Sequence, residues 1–241
     1  MRLLLINGNT SAAITDRMVH EARRMAAAGT EVVGVTARFG ARYVATRSAY
    51  AIAAHAALDA YAEHGAGADV VVLACFGDPG LPALRELASV PVVGMAEASC
   101  RMAARHGKRF AIVTGGTAWV PMLEEFVATI GFADQLAGVR AVAPTGAEIA
   151  ADPDGSRALL ARECRAAAQG GADVVILGGA GLVGIAEQIA KDVPVPLVDS
   201  LAAAVTIAQE SAAACAPHDL AAPVESVGLG EKLAAMLAGR P

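Results

Sequence analysis

The sequence predicts an α/β protein of two pseudo-symmetric halves, each a parallel sheet flanked by helices, with one cleft between them. Three observations lead there. The first is an internal repeat: Gly67–Gly77 reads GADVVVLACFG and Gly171–Gly181 reads GADVVILGGAG, an ungapped match 104 residues apart. A second pair, RLLLINGNT at Arg2–Thr10 and RFAIVTGGT at Arg109–Thr117, recurs at 107 residues. Such a period is too long for a solenoid unit and suits a duplicated domain of ordinary size. The second observation is that short apolar runs alternate with helical stretches along the whole chain, which argues for parallel sheets covered by helices. The third is that runs such as Val70–Ala74 are continuously apolar, as in strands buried on both faces. The expected division is a first domain of residues 1–97 plus 201–241 and a second of residues 98–200.

Each element follows in order. Strands are expected at Leu3–Ile6, Glu31–Thr36, Val70–Ala74 and Val92–Val93, then at Phe110–Val113, Gly138–Val142, Val174–Leu177 and Leu197–Val198. Helices are expected between them: Ser11–Ala27 capped by Thr10 or Ser11, and Ser48–His64 ended by Gly65 and Gly67. Leu81–Ala88 has Pro82 in its first turn, and Glu97–His106 follows. The second half gives Val120–Ile130, Gly146–Gln169 with a break near Pro153, Val183–Ala190 and Leu201–Ala214, with a short terminal helix at Lys232–Leu237. Alanine-rich stretches such as Ala53–Ala60 and Ala202–Ala214 suit closely packed helices.

Composition narrows the function classes. With 55% apolar and 18% charged residues the 241-residue chain has ample material for a core. No run approaches the roughly 18 apolar residues of a membrane span. The short apolar start, MRLLLINGNTS, reads as a strand rather than a secretory segment, so a cytoplasmic protein is expected. A net charge of −5 and small, interrupted basic clusters argue against nucleic acid as partner. The expected partners are a small-molecule substrate and further copies of the chain in a homo-oligomer. The four cysteines (Cys75, Cys100, Cys164 and Cys215) form no CxxC pair and no zinc-ligand spacing, so free thiols and no metal site are expected.

In parallel α/β sheets ligands bind beyond the carboxyl ends of the strands. Those ends carry Asn7–Ser11, Cys75–Gly80, Thr114–Thr117 and Gly178–Gly181, all glycine-containing turns with small or polar residues. Cys75 is the reactive group among them. The amides of Phe76 and Gly77 follow it, and the start of the next helix would favour a thiolate or an anionic intermediate. A buried structural cysteine is the plainer reading. Asn9, Thr10 and Thr114 are candidates to bind substrate polar groups, although capping alone would also explain Thr10. Gly179, Ala180 and Gly181 bring backbone close to a ligand but lack the Lys-Ser/Thr of a phosphate loop. Asp78 reads as a turn-capping residue before Pro79 and Gly80. None of the five histidines accompanies these turns, so no Cys-His pair is expected.

INGNTS at Ile6–Ser11, ACFGDPGL at Ala74–Leu81, PVVGMAEA at Pro91–Ala98 and IVT at Ile112–Thr114 resemble the hydantoin and allantoin racemases of the aspartate/glutamate racemase superfamily. The resemblance runs over about residues 1–200. It implies two Rossmann-like domains, a cofactor-free active site between them, and two cysteines that exchange protons with a stereocentre from opposite faces. The first family cysteine matches Cys75. The second belongs to an LGCAGM-like segment, and here Leu177–Leu182 reads LGGAGL, with Gly179 in its place. Tyr43–Thr46, YVAT, also departs from the Ile-Glu pair usual in relatives. The leading expectation is therefore a racemase of a hydantoin-like or amino-acid-derived substrate with Cys75 as acid/base. Two alternatives stay open. One is a single-cysteine decarboxylase similar to the arylmalonate decarboxylases, with the lone thiol on the opposite side. The other is a non-catalytic small-molecule binding protein.

Overall fold

The computed structural model describes residues 1–142, 153–213 and 222–239. Eight strands form two four-stranded sheets. The first runs β2 (Glu31–Thr36), β1 (Arg2–Asn7), β3 (Val70–Leu73), β4 (Val92–Gly94). The second repeats that order with β6 (Leu136–Val142), β5 (Phe110–Gly115), β7 (Val174–Gly178), β8 (Leu197–Asp199). Every neighbouring pair is parallel, with Leu3 opposite Val70 in one sheet and Phe110 opposite Val174 in the other. β1, β3, β5 and β7 hold the apolar runs, and every residue in them except Arg2 is buried.

The helices are α1 (Ala12–Met25), α2 (Arg47–His64), α3 (Leu81–Leu87), α4 (Met95–His106), α5 (Trp119–Thr129), α6 (Pro153–Gln169), α7 (Ile185–Ile189), α8 (Ser200–Ala213) and α9 (Glu231–Leu237). The helix that leaves each sheet's last strand crosses to the other half: α4 packs on β7, α8 packs on β3, and the two pack on each other. Their contact is lined by small residues, with Ala96, Ala98 and Ala103 buried on α4 and Ala203, Ala204 and Ala208 on α8. One apolar cluster therefore joins both sheets, taking Leu3 and Val70 from the first and Ile112 and Val174 from the second. The outer faces have clusters of their own, the first sheet under α2 and α3 and the second under α6 and α7. No helix among the described residues is long and apolar enough to cross a membrane.

Three element boundaries differ from expectation for physical reasons. α4 begins at Met95, before the expected Glu97, because a distant carboxylate caps it (below). α7 is confined to Ile185–Ile189, since Gly184 has φ 81° and a short 3-10 turn occupies Ala180–Leu182. β6 starts at Leu136, with a register shift against Phe110 and Ala111. The stretch of residues 146–152, ahead of the expected break near Pro153, and the tail residues Cys215 and His218 lie outside the described residues.

Candidate active site

The carboxyl ends of both sheets meet at one cleft, lined by Asn9, Ile14, Tyr43, Val44, Cys75, Phe76, Thr114, Gly115, Trp119 and the segment Gly179-Ala180-Gly181-Leu182. It encloses about 480 Å³, part of it open to solvent. Seven of the expected site residues are thus together: Asn9, Cys75, Phe76, Thr114, Gly179, Ala180 and Gly181. Two are not in the lining. The amide of Thr10 donates to the Ala41 carbonyl (3.0 Å). The Gly77 carbonyl accepts from the Tyr50 hydroxyl (2.7 Å), and a side chain at Gly77 would run into the Trp119 ring.

The β1 tip is organised by Asn7, which is fully buried. Its Nδ2 donates to Asn9 Oδ1 and Thr15 Oγ1, both at 3.0 Å, and its Oδ1 accepts from the Asn9 amide. Asn9 Oδ1 also accepts from the Ser11 amide (2.9 Å), while the Ser11 side chain makes no capping bond. The expected Thr10 or Ser11 side-chain cap is therefore replaced by an asparagine network. Asn9 spends its oxygen on the loop, and among the described residues no hydrogen bond engages its Nδ2.

The β3 tip carries Cys75 and Phe76, each 5% exposed. The chain then turns through Gly77 (φ 100°), Asp78 (φ 53°) and Gly80 (φ 81°). Asp78 is the one non-glycine residue in the left-handed region among those described. It is held there by its carboxylate, which accepts from the Ala96 and Glu97 amides (both 2.8 Å) and so caps α4. The carboxylate occupies the space a side chain at Gly94 would need. Asp78 is thus not the local turn cap expected from the sequence. The second half makes the same link in reverse: Asp199 at the β8 tip accepts from Leu201 and Ala202 on α8 and reaches back to the Gly184 amide.

Burial dominates the electrostatics. It pushes the Cys75 thiol up to about 12, with the Asp78 carboxylate adding to the shift. Burial also raises Asp78 to about 7, against the pull of its two amide bonds. The expectation that a nearby helix start favours a thiolate is corrected: α3 is seven residues long, and desolvation keeps the thiol protonated.

Across the cleft, the Phe76 ring fills the place where a side chain at Gly178 would stand. Gly179 has φ 145° and ψ 138°, a conformation L-residues disfavour. Space is not limiting there: a Cβ would lie 3.7 Å from Leu182 Cγ and 3.9 Å from Thr114 Oγ1. Sequence reasoning missed Ile14, Trp119 and Leu182; it held Gly115 only as part of the Thr114–Thr117 turn, and Tyr43 and Val44 only as part of a segment that departs from relatives. Tyr43 donates to the Gly115 carbonyl and Trp119 Nε1 to the Val44 carbonyl, both at 2.9 Å, so residues 37–46 are tied across the cleft. Tyr50 meets Trp119 edge-on at 6.3 Å, and Arg47 pairs with Glu125 outside the lining. The available signal was scarcity: one Trp and three Tyr in the chain, with Trp119 and Tyr43 both here.

Two α/β halves joined at such a cleft define a class, and the chain belongs to the Asp/Glu/Hydantoin racemase family, whose profile matches residues 3–208. This is a family of isomerases. Among relatives, the chain is 34% identical to a hydantoin racemase of Paenarthrobacter aurescens over 214 residues, covering 87% of this chain and 90% of that one. It is 30% identical to a hydantoin racemase of Pseudomonas sp. (strain NS671) over 211 residues, 87% and 85% of the two chains. The crystal structure of an allantoin racemase from Pseudomonas fluorescens superposes with a TM-score of 0.91 at 33% identity, covering 95% of this chain and all of that one.

Proposed function

We propose that the protein is a cofactor-independent racemase of hydantoin-like cyclic ureides or related amino-acid derivatives. It moves a proton at the carbon next to a carbonyl, with Cys75 as the acid/base. The observation that carries this reading is the position of Cys75 at the β3 tip, in the cleft that its repeat partner Gly179 also lines. The lining supports a neutral substrate: the described residues that line the cleft include no Asp, Glu, Lys or Arg. Ile14, Val44, Phe76, Trp119 and Leu182 suit an apolar ring substituent. The Asn9 amide, the Thr114 hydroxyl and the backbone after Cys75 and Gly179 are the groups to hold ring carbonyls. Removing the ring proton leaves a planar enolate, and Cys75 returns a proton to the face it faces. Burial keeps the thiol protonated, so the thiolate that acts as base is scarce and, once formed, strongly basic.

The test is the loss of optical rotation of single enantiomers of 5-substituted hydantoins, with the parent and with Cys75→Ala. The variant is expected to lose at least the roughly 10²–10⁴-fold that a positioned acid/base contributes. Cys100→Ala and Cys164→Ala, buried away from the cleft, should keep activity. Full turnover by Cys75→Ala would overturn the reading. A second reading, a cofactor-free decarboxylase in which Cys75 protonates one face, is favoured by the protonated thiol and by Gly179. It predicts CO₂ release from 2-substituted malonates and no action on hydantoins.

A further inference from the structure

We infer that the Thr114 hydroxyl supplies the proton on the substrate face opposite Cys75, standing in for the side chain that Gly179 lacks. The inference rests on the racemase reading above. Inverting a planar enolate needs a donor on each face. On the Gly179 side, the protic side-chain atom beside the glycine is Thr114 Oγ1, 3.9 Å from where a Cβ would lie.

The internal repeat explains why this hydroxyl is free to act. Thr114 is the counterpart of Asn7 at the 107-residue offset. Asn7 spends its amide group on the loop beyond β1, bonding to Asn9, Ser11 and Thr15. The residues in the places of Asn9 and Thr15 after β5 are Gly116 and Met122, which offer no side-chain oxygen. Thr114 is only 4% exposed and lines the cleft, and its hydroxyl has no hydrogen-bond partner among the described residues. The competing protic groups are committed: Tyr43 to the Gly115 carbonyl and Trp119 to the Val44 carbonyl. Asn9 belongs to the β1 tip, on the Cys75 side, where the neighbouring Gly8 has its Cβ position 3.8 Å from the Cys75 Cβ.

The proton balance closes with water as co-reactant. The Cys75 thiolate takes the proton from one face. The Thr114 O–H bond breaks as a C–H bond forms on the other, while a water returns a proton to the Thr114 oxygen. The hydroxide left is neutralised by the proton that Cys75 took, which restores the thiolate. A hydroxyl is a weaker acid than a thiol, so inversion is expected to lag behind exchange at the Cys75 face.

The test uses one enantiomer of 5-benzylhydantoin in D₂O, following deuterium at C5 by NMR and inversion by chiral chromatography. Thr114→Val keeps the branched shape and removes the hydroxyl. It should lower the ratio of inversion to exchange with retention by about 10²-fold, the lower end for a positioned proton donor, since any substrate binding lost with the same hydroxyl lowers both rates together. Thr114→Ser should keep the parent's inversion-to-exchange ratio. Retained exchange reports that the variants fold; if Thr114→Val does not fold, Thr114→Ala replaces it. Inversion by the hydroxyl-free variant at the parent's rate, with exchange intact, overturns the assignment to Thr114 alone. Absence of Cys75-dependent exchange in the parent overturns the racemase reading, and this one with it.

Discussion

Replacing Gly179 by cysteine separates two properties of one position. The backbone there sits at φ 145°, ψ 138°, where an L-residue costs on the order of 1–3 kcal/mol. A new Cβ would meet nothing closer than 3.7 Å, so the penalty is conformational and not a clash. For a chain of this size roughly 2–4 °C of melting temperature goes with each kcal/mol, so Gly179→Cys should melt several degrees below the parent. Gly179→Ala carries the same backbone cost without a thiol and is the control. In activity the two should part: the cysteine variant gains a second acid and should invert a hydantoin roughly 10²–10⁴-fold faster than the alanine variant. Thermal melts and inversion rates of the three proteins decide it. Gly179→Ala melting with the parent would refute the strain argument. Gly179→Cys binding substrate yet inverting no faster than Gly179→Ala would refute the missing-acid argument.

Other expectations are nearer to packing and pH. Gly178→Ala places a methyl in the Phe76 ring and should cost about 1–3 kcal/mol by overpacking, with loss of activity as Phe76 shifts; an unchanged melt would contradict the contact. Asp78 is raised in the folded state to about 7, so its stabilising contribution is full below the unfolded value and falls as pH rises through about 7. The stability gap between the parent and Asp78→Asn should therefore narrow from pH 4 to pH 7; a gap that widens over this range would contradict the burial argument. Because burial raises Cys75 to about 12, hydantoin proton abstraction should climb with pH through 9 without a plateau; a plateau near 7 would show a thiolate already formed.

The fold was legible because its main signals are local. Continuous runs such as Val70–Leu73 and Val174–Leu177 fit strands buried on both faces, and the repeat paired the halves before any contact was known. Cys75, Thr114 and Gly179 were legible for the same reason: they stand at strand ends, and in parallel sheets strand ends converge. What was not legible depends on distance along the chain. Asp78 caps a helix 18 residues later, which turn chemistry at Asp-Pro-Gly does not reveal. Tyr43 and Val44 lie in a segment without periodicity, and their partners Gly115 and Trp119 are 72 and 75 residues away. Asn7 read as the end of a strand, and its role emerged only from the bonds its side chain makes to the following turn.

In the proposed reaction Cys75 transfers a proton at one face of a cyclic ureide, while the Gly179 face lacks an equal partner. The most direct measurement follows a single enantiomer of a 5-substituted hydantoin in D₂O, recording C5 deuteration by NMR and optical rotation in the same tube. Deuteration should outrun loss of rotation in the parent and disappear in Cys75→Ala. Deuteration and loss of rotation proceeding at the same rate, or deuteration that survives in Cys75→Ala, would contradict it.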